Sequence, residues 1–556
     1  MISKLMLRLV TISALFLALL HVCTATPPPS KFAIKSLPGW TDDFGVPKPL
    51  PSPWYAGYIP AGTPPSGKGT MYFHYIMIQS ERDPANDPVV FWYNGGPGAS
   101  SLFGMLQEWG PLHLNDLSYD EKYNLTGIPS PVYNVYRWTE THTLVAIDSP
   151  PPMGLSFCSE DGPAGSPTSC GPWTDTTVFA ANHAAHMSFF NDIFPEFKKN
   201  PVFFTGESYA GIYVPGFAME MLKDKNAKDI NFQGIAVGDG WTGCVPKDGQ
   251  PVNWCIDLDN VGVFKYPNVH PGPWYDVEFF HGHSQFSNEL YNRIKSTCTE
   301  NELRGSVKMS DACLGLIDEM SEEIGYWFPY NLYNACPVGA MLKGKNIDKH
   351  GINRALKARR EFGKAMKLSG SGLGDTPSAG NGDSGLGSPC LGHAMSTWFT
   401  LNETLKAIGA PLDSKFINLD NGHGFNYTGN QPFVGPIYEA LIKAGKRVMI
   451  YEGDMDACGL QTSPVEDIFV PLFNSMGLNK TEKWRPWTLD GASQMGGYTI
   501  DWNNGLARFV SIRGSGHLAP LNRPRVTQKM MFDFISNNDL PRYNPPTHTK
   551  KSSTDL

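Results

Sequence analysis

Four short apolar runs constrain this chain most: "PVVFWYN" (88–94), "HTLVAIDSP" (142–150), "NPVFFTG" (200–206) and "FQGIAVGDG" (232–240). Each is a near-continuous stretch of β-branched and aromatic residues, the pattern of a strand buried on both faces. Between them, "TTVFAANHAAHMSFFNDIFPEF" (176–197) spaces its apolar residues as a helix does. Strands interleaved with helices predict an α/β fold on a largely parallel sheet. The pattern resumes near residue 436 with the helix "GPIYEALIKAG" and the strands "KRVMIYEGD" and "LARFVSIRGSGH". Residues 245–435 between the two blocks are cysteine-rich and helical, with few strand signals. A chain of 556 residues organised this way reads as one large sheet domain, 26–244 and 436–540, split by a helical cap insertion at 245–435. Within the insertion, "LSGSGLGDTPSAGNGDSGLGSP" (368–389) is Gly/Ser-rich and cannot bury enough apolar surface to order itself, which predicts a flexible loop or proteolytic site. Residues 541–556 read as a tail.

The first 25 residues place Lys4 and Arg8 ahead of an apolar run from Leu9 to Leu20 and end on small residues near Ala25, the order of a cleaved secretory leader. A signal anchor is the competing reading, but the run is short for a membrane span. No later segment approaches that length, so no membrane association is expected after removal of the leader. Nine cysteines remain: Cys158, Cys170, Cys244, Cys255, Cys298, Cys313, Cys336, Cys390 and Cys458. In an oxidising compartment most should pair, with one left free or joined to another chain. No CxxC spacing suggests a metal site, and no cofactor motif is present, so none is expected. Sequons at Asn124, Asn402, Asn426 and Asn479 suit a glycosylated exported protein. A net charge of −8 argues against a nucleic-acid partner, and the basic cluster "KARREFGKAMK" (357–367) reads as a solvated helix face.

The stretch "VFFTGESYAGIYVP" (202–215) sets Ser208 between a strand and a helix, flanked by Gly206, Ala210 and Gly211. A nucleophile elbow needs such small neighbours because its backbone is crowded. Serine is a weak nucleophile until a base takes its proton, so the reading demands a histidine and an acid to orient it. On an α/β-hydrolase sheet these follow the serine in the order acid, then base. "VMIYEGDMDACG" ends a strand with Asp454 and Asp456, and "FVSIRGSGHLAP" ends a later one with His517. His423 precedes the aspartates and follows no strand, while His183 and His186 share an earlier helix; packing or solvent suits them better. Upstream, "FWYNGGPGASS" (91–101) supplies glycines whose N–H groups could meet a reacting oxyanion. Pro97 has no N–H, which leaves Gly95, Gly96 and Gly98 as candidate donors.

With "NGGPGASS", "GESYAGIYVP", "GDMD" and "GSGHLAP" in this order, the chain resembles the serine carboxypeptidases of the α/β-hydrolase fold, from "YAGYIP" at 55 to "RVTQKMMFDFI" at 525–535, the insertion matching only loosely. The resemblance implies an enzyme that releases C-terminal amino acids from peptides and proteins through an acyl-enzyme. It implies Ser208 as nucleophile, His517 as general acid/base and Asp456 as the orienting acid, with Asp454 a turn-stabilising neighbour. The oxyanion hole falls on the N–H groups of Gly96 and Tyr209, and the grip on the substrate's terminal carboxylate on Asn94, Gly95, Glu108 and Glu207. Glutamates facing a carboxylate would repel it unless repulsion and burial keep them protonated, so peptide binding is expected to be best in acid. Three departures stand out: Ala99 replaces the family's cysteine, "DSPPPMGLSF" (148–157) replaces a more glycine-rich stretch, and Leu518 follows the histidine. They bear on a disulfide and on the side-chain pockets. Secretion or a vacuole- or lysosome-like acidic compartment, and a monomer or homodimer, fit this reading. Two other activities compete: acyl transfer to an alcohol or amine by the same triad, and a non-catalytic stabilising or binding partner.

Overall fold

A computed structural model describes residues 32–243, 273–303, 307–325, 328–334, 393–419, 424–458 and 462–544. The leader, Cys244, Cys255, Cys336 and Cys390, the basic and Gly/Ser-rich segments at 357–389, His423 and residues 545–556 lie outside the described residues.

The main sheet has twelve strands. In chain order they are β1 (Phe32–Ile34), β2 (Trp54–Pro60), β3 (Met71–Ile78), β4 (Val89–Tyr93), β5 (Thr143–Ile147), β6 (Phe157–Cys158), β7 (Val202–Glu207), β8 (Phe232–Gly238), β9 (Arg447–Gly453), β10 (Lys480–Thr488), β11 (Met495–Trp502) and β12 (Ala507–Ile512). Their spatial order is β1-β2-β3-β5-β4-β7-β8-β9-β12-β11-β10, with β6 against β3. From β5 through β12 every neighbouring pair is parallel, and both flanks are antiparallel.

The continuous apolar runs form the parallel centre because they have no solvent face. Every residue of β4, β5, β7 and β12 is buried. Alternation assigns Val202 and Phe204 to the apolar cluster on one side of the sheet and Phe203 to the cluster on the other. Burying one such side chain contributes about 1.5–3 kcal/mol. Helices α1 (Asp175–Ser188), α2 (Ala210–Lys223), α3 (Gly435–Lys443) and α4 (Thr462–Ser475) cover the first side, and α5 (Pro524–Ile535) the second. The antiparallel outer strands escape a periodicity reading. β10 is mostly exposed and carries Lys480, Lys483, Arg485 and Pro486, the polar and proline residues that protect a sheet edge.

In the middle block, helices at Asn288–Thr297 and Asp311–Ile324 share an apolar cluster of their own and a Cys298–Cys313 disulfide. That cluster includes Ala457, which follows β9. A second disulfide joins Cys158 to Cys170.

Candidate active site

Ser208 occupies the turn between β7 and α2 with φ = 63°, a left-handed conformation that costs a residue with a side chain about 1–3 kcal/mol. Hydrogen bonds hold it there. Its N–H donates to the Gly238 carbonyl at 3.0 Å, and its carbonyl accepts from Gly211 and Trp241, both at 2.9 Å. The neighbours must be small: a Cβ on Gly206 would lie 2.4 Å from the Tyr93 carbonyl oxygen, and one on Gly211 2.2 Å from that of Trp241. Tyr209 is tied down by its side chain, whose hydroxyl donates to Asp175 Oδ1 at 2.9 Å. Asp175, buried at the start of α1, also accepts from the Tyr427 hydroxyl and from the N–H groups of Asn430 and Gln431.

The loop after β4 lies directly on this turn. A Cβ on Gly95 would sit 2.3 Å from the Tyr209 nitrogen and 2.7 Å from Ser208 Cβ, so only glycine permits the approach. Gly96 follows with φ = 105°, open to glycine alone. The N–H groups of Gly96 and Tyr209 therefore belong to two backbone segments in contact beside Ser208.

Asp456 and His517 come from the turns after β9 and β12. His517 Nδ1 is 2.8 Å from Asp456 Oδ2 and can face a carboxylate only as the donor, which leaves Nε2 as the basic nitrogen. Nε2 is buried without a hydrogen-bond partner among the described residues, and His517 lines the same cleft as Ser208. The Ser208 hydroxyl does not bond to it here, and such contacts commonly tighten only around substrate. Asp454 has a different place: its Oδ1 accepts from the Gly514 N–H at 2.6 Å, joining the two turns. Burial pushes the Asp454 carboxyl up to about 6.

Residues 328–334 of the middle block strap the same turns together. The Leu332 N–H donates to Met455, the Ala457 N–H to Pro329 and the His517 N–H to Tyr330, all backbone carbonyls. The Tyr330 ring stacks on the His517 imidazole at 4.9 Å between centroids. No motif in "FPYNLYN" marked Tyr330. Asn418 and Leu419, which also line the cleft, sit in no recognisable motif either. Cys458 was counted only as a disulfide candidate, yet its Sγ lies 3.2 Å from His517 Nδ1 and its N–H donates to Asp456 Oδ1 at 2.9 Å. The donor atoms of Asp456, Cys458 and His517 fall within 4.8 Å of one another, so they could bind a metal ion. A metal ligated through His517 Nδ1 would displace the Asp456 hydrogen bond.

On the other side of Ser208, Asn94 holds two buried glutamates. Its Oδ1 accepts from Trp92 Nε1 and the Gly104 N–H, both at 2.9 Å, which fixes the amide orientation. Its Nδ2 then donates to Glu207 Oε1 at 2.9 Å and to Glu108 Oε1 at 3.4 Å. Glu207 Oε2 and Glu108 Oε2 have no well-formed hydrogen bond among the described residues. Two acceptor-only carboxylates in that position need a proton between them. Burial first, and then the charge of Glu108, hold the Glu207 carboxyl well above its ordinary range. Burial pushes Glu108 up to about 7. Asn94 and Glu207 line the cleft with Gly95 and Gly96, whereas Glu108 stands behind them.

The two helix histidines lie elsewhere. His183 pairs with Asp224 at 2.9 Å, and His186 bonds to the Tyr93 hydroxyl and stacks on Phe204 in the core. Asn124, Asn402, Asn426 and Asn479 are all exposed.

A family model described as serine carboxypeptidase matches residues 45–537. Serine carboxypeptidase-like 21 of Arabidopsis thaliana is 29% identical over 542 residues, covering 94% of this chain and 98% of the relative. Serine carboxypeptidase ctsa-4.1 of Caenorhabditis elegans is 28% identical, covering 96% and 98%. The lysosomal protective protein of Mus musculus is 27% identical, covering 87% and 90%. Among solved structures, Kex1Δp, a prohormone-processing carboxypeptidase from Saccharomyces cerevisiae, superposes with a TM-score of 0.57 at 17% identity, over 91% of this chain and 95% of that one. The shared fold is that of the α/β-hydrolases.

Proposed function

The chain belongs to the serine carboxypeptidase family, and from that premise we propose that Ser208, His517 and Asp456 form its catalytic triad beside a protonated glutamate grip for the substrate's C-terminus. It is a serine-type carboxypeptidase, a hydrolase acting on peptides. The observation that carries the site assignment is the Asp456–His517 hydrogen bond, which aims a free Nε2 into the cleft holding Ser208.

His517 Nε2 takes the Ser208 proton as the hydroxyl attacks the last peptide carbonyl. The tetrahedral oxyanion lies against the N–H groups of Gly96 and Tyr209. His517 passes the proton to the leaving amine, the terminal amino acid departs, and water repeats the sequence on the acyl-enzyme. Cleavage is confined to the chain end because the terminal carboxylate is held by Asn94, the Gly95 N–H and the protonated Glu207, with Glu108 behind. Tyr330, Asn418 and Leu419 bring the middle block to the cleft, so it acts as a cap that shapes preference around the scissile bond. Product analysis on an N-blocked peptide, with alcohol and amine acceptors present, tests this. Release of a single C-terminal residue and of the shortened free acid is expected; transfer products in place of the acid would overturn it.

The grip carries a pH dependence of definite sign. Burial pushes Glu108 up to about 7 and holds Glu207 well above the ordinary carboxyl range, so donors are available in acid and are lost as pH rises, Glu108 ionising through about 7 and Glu207 at higher pH. Above that, two anions face the substrate carboxylate. KM for a blocked dipeptide is therefore expected to be lowest in acid and to rise about tenfold per pH unit past the transition. In Glu207→Gln, which cannot ionise there, the rise flattens. A KM independent of pH in the wild type would remove the grip from the mechanism. This preference suits an acidic compartment entered through the secretory route, and one relative carries the name lysosomal.

A further inference from the structure

A second buried acid pair lies behind the triad. Asp239 follows β8 and Glu452 lies near the end of β9, and both are wholly enclosed. Asp239 Oδ1 accepts from the Gly453 N–H at 2.8 Å, and the Asp239 N–H donates to the Tyr451 carbonyl at 2.9 Å. Its side chain thus continues the β8–β9 ladder one step past the last strand pair, with Asp239 itself at φ = 44°, a left-handed conformation that aspartate tolerates. Asp239 Oδ2 and both oxygens of Glu452 have no well-formed hydrogen bond among the described residues. The Gly240 N–H bears on Glu452, but carboxylates cannot donate, so a hydrogen bond between the two acids needs a proton of their own.

The position matters because β8 serves both halves of the catalytic machinery. The Gly238 carbonyl accepts the Ser208 N–H at 3.0 Å, and the next residue, Asp239, holds Gly453, whose carbonyl accepts the Asp456 N–H at 3.2 Å. Resting on the triad reading above, we propose that Asp239 and Glu452 share one proton and, as a hydrogen-bonded pair, are positioning residues that keep the turn of Asp456 in register with the turn of Ser208, setting an upper pH limit on turnover. Burial is the main reason the pair keeps its one proton far above the ordinary carboxyl range, and the charge of Asp239 on Glu452 and of Asp456 on both adds to it. The other titratable groups that bear on the pair are Asp454, Tyr438 on α3 and Tyr451 on β9, with Glu207 and Glu108 beyond Tyr451. Loss of the shared proton sets two anions against each other and against Asp456, and the strut opens.

This pair acts on turnover, and the glutamate grip acts on substrate binding, so the two separate in kinetics. Steady-state parameters across pH should show the alkaline fall of kcat in the wild type delayed by about one pH unit or more in Glu452→Gln, whose amide donates at any pH, while the rise in KM keeps its place. Asp239→Asn, which keeps an acceptor for Gly453, should retain turnover that Asp239→Ala loses by about tenfold or more. A kcat profile in Glu452→Gln that superimposes on the wild type overturns the proposal. If these variants do not fold, infrared spectra decide: protonated buried carboxyls should persist at neutral pH in the double variant Glu108→Gln, Glu207→Gln, and their complete disappearance there overturns it. Fluorophosphonate labelling of wild-type Ser208 keeps the failures apart, since an unlabelled serine would sink the triad itself.

Discussion

Replacing Ser208 by alanine is expected to lower kcat for peptide cleavage by about 10⁶ while KM stays within about twofold. The size follows from what is lost. Without the hydroxyl no acyl-enzyme forms, and what remains is the pull of the Gly96 and Tyr209 N–H groups on the carbonyl and the hold on the chain end. Residual acceleration of that kind is about 10³–10⁴ over water. KM is spared because the groups proposed to bind the terminal carboxylate are anchored independently, Asn94 through Trp92 and Gly104, and Glu207 through Asn94. The backbone should not respond either. The bonds that fix the turn are those of the Ser208 N–H and C=O, and both remain in alanine. Thermal unfolding of the variant should track the wild type, and reaction with a fluorophosphonate should disappear. A fall in kcat of less than about tenfold, with labelling retained elsewhere, would move the nucleophile to another residue.

The parallel centre of the fold was legible because burial on both faces writes itself into composition. "PVVFWYN" has no polar position to spare, and the strand Val89–Tyr93 is buried throughout. Residues fixed by local geometry were legible too. Gly206 and Gly211 read as an elbow because a Cβ at either has no room. What was not legible depends on contacts between segments far apart in the chain. Asp239 bonds to a backbone amide 214 positions away, and nothing in "GDG" distinguishes it from an aspartate in solvent. Tyr330 reaches His517 from a block whose sequence offered only helices and cysteines. Glu207 was marked through the family resemblance; its sharing of Asn94 with Glu108 required coordinates. Edge strands escaped for a different reason: β10 alternates too weakly, because both of its faces are exposed over its first half and only Trp487 and Thr488 are buried.

The two aspartates of "GDMD", to which the family resemblance already gives different roles, bond to different partners, and substitution should divide them sharply. Asp456→Asn is expected to lower kcat by about 10⁴, the magnitude found when an orienting carboxylate becomes an amide. Asp456 Oδ2 receives the Nδ1 proton of His517 at 2.8 Å, which keeps Nε2 unprotonated toward the cleft and stabilises the imidazolium formed in each half-reaction. An asparagine can turn its NH₂ toward Nδ1, which makes Nδ1 the acceptor and puts the ring proton on Nε2. In that tautomer the ring cannot take the Ser208 proton. Cys458 Sγ, 3.2 Å from Nδ1, is a weak acceptor and cannot replace the charge. Asp454→Asn should behave differently. Its bond is to the Gly514 N–H, which an amide oxygen accepts equally well, so kcat is expected to stay within about tenfold of the wild type. Equal effects of the two substitutions would mean that His517 is oriented by the strap at 328–334 and its stacking on Tyr330 rather than by a charge.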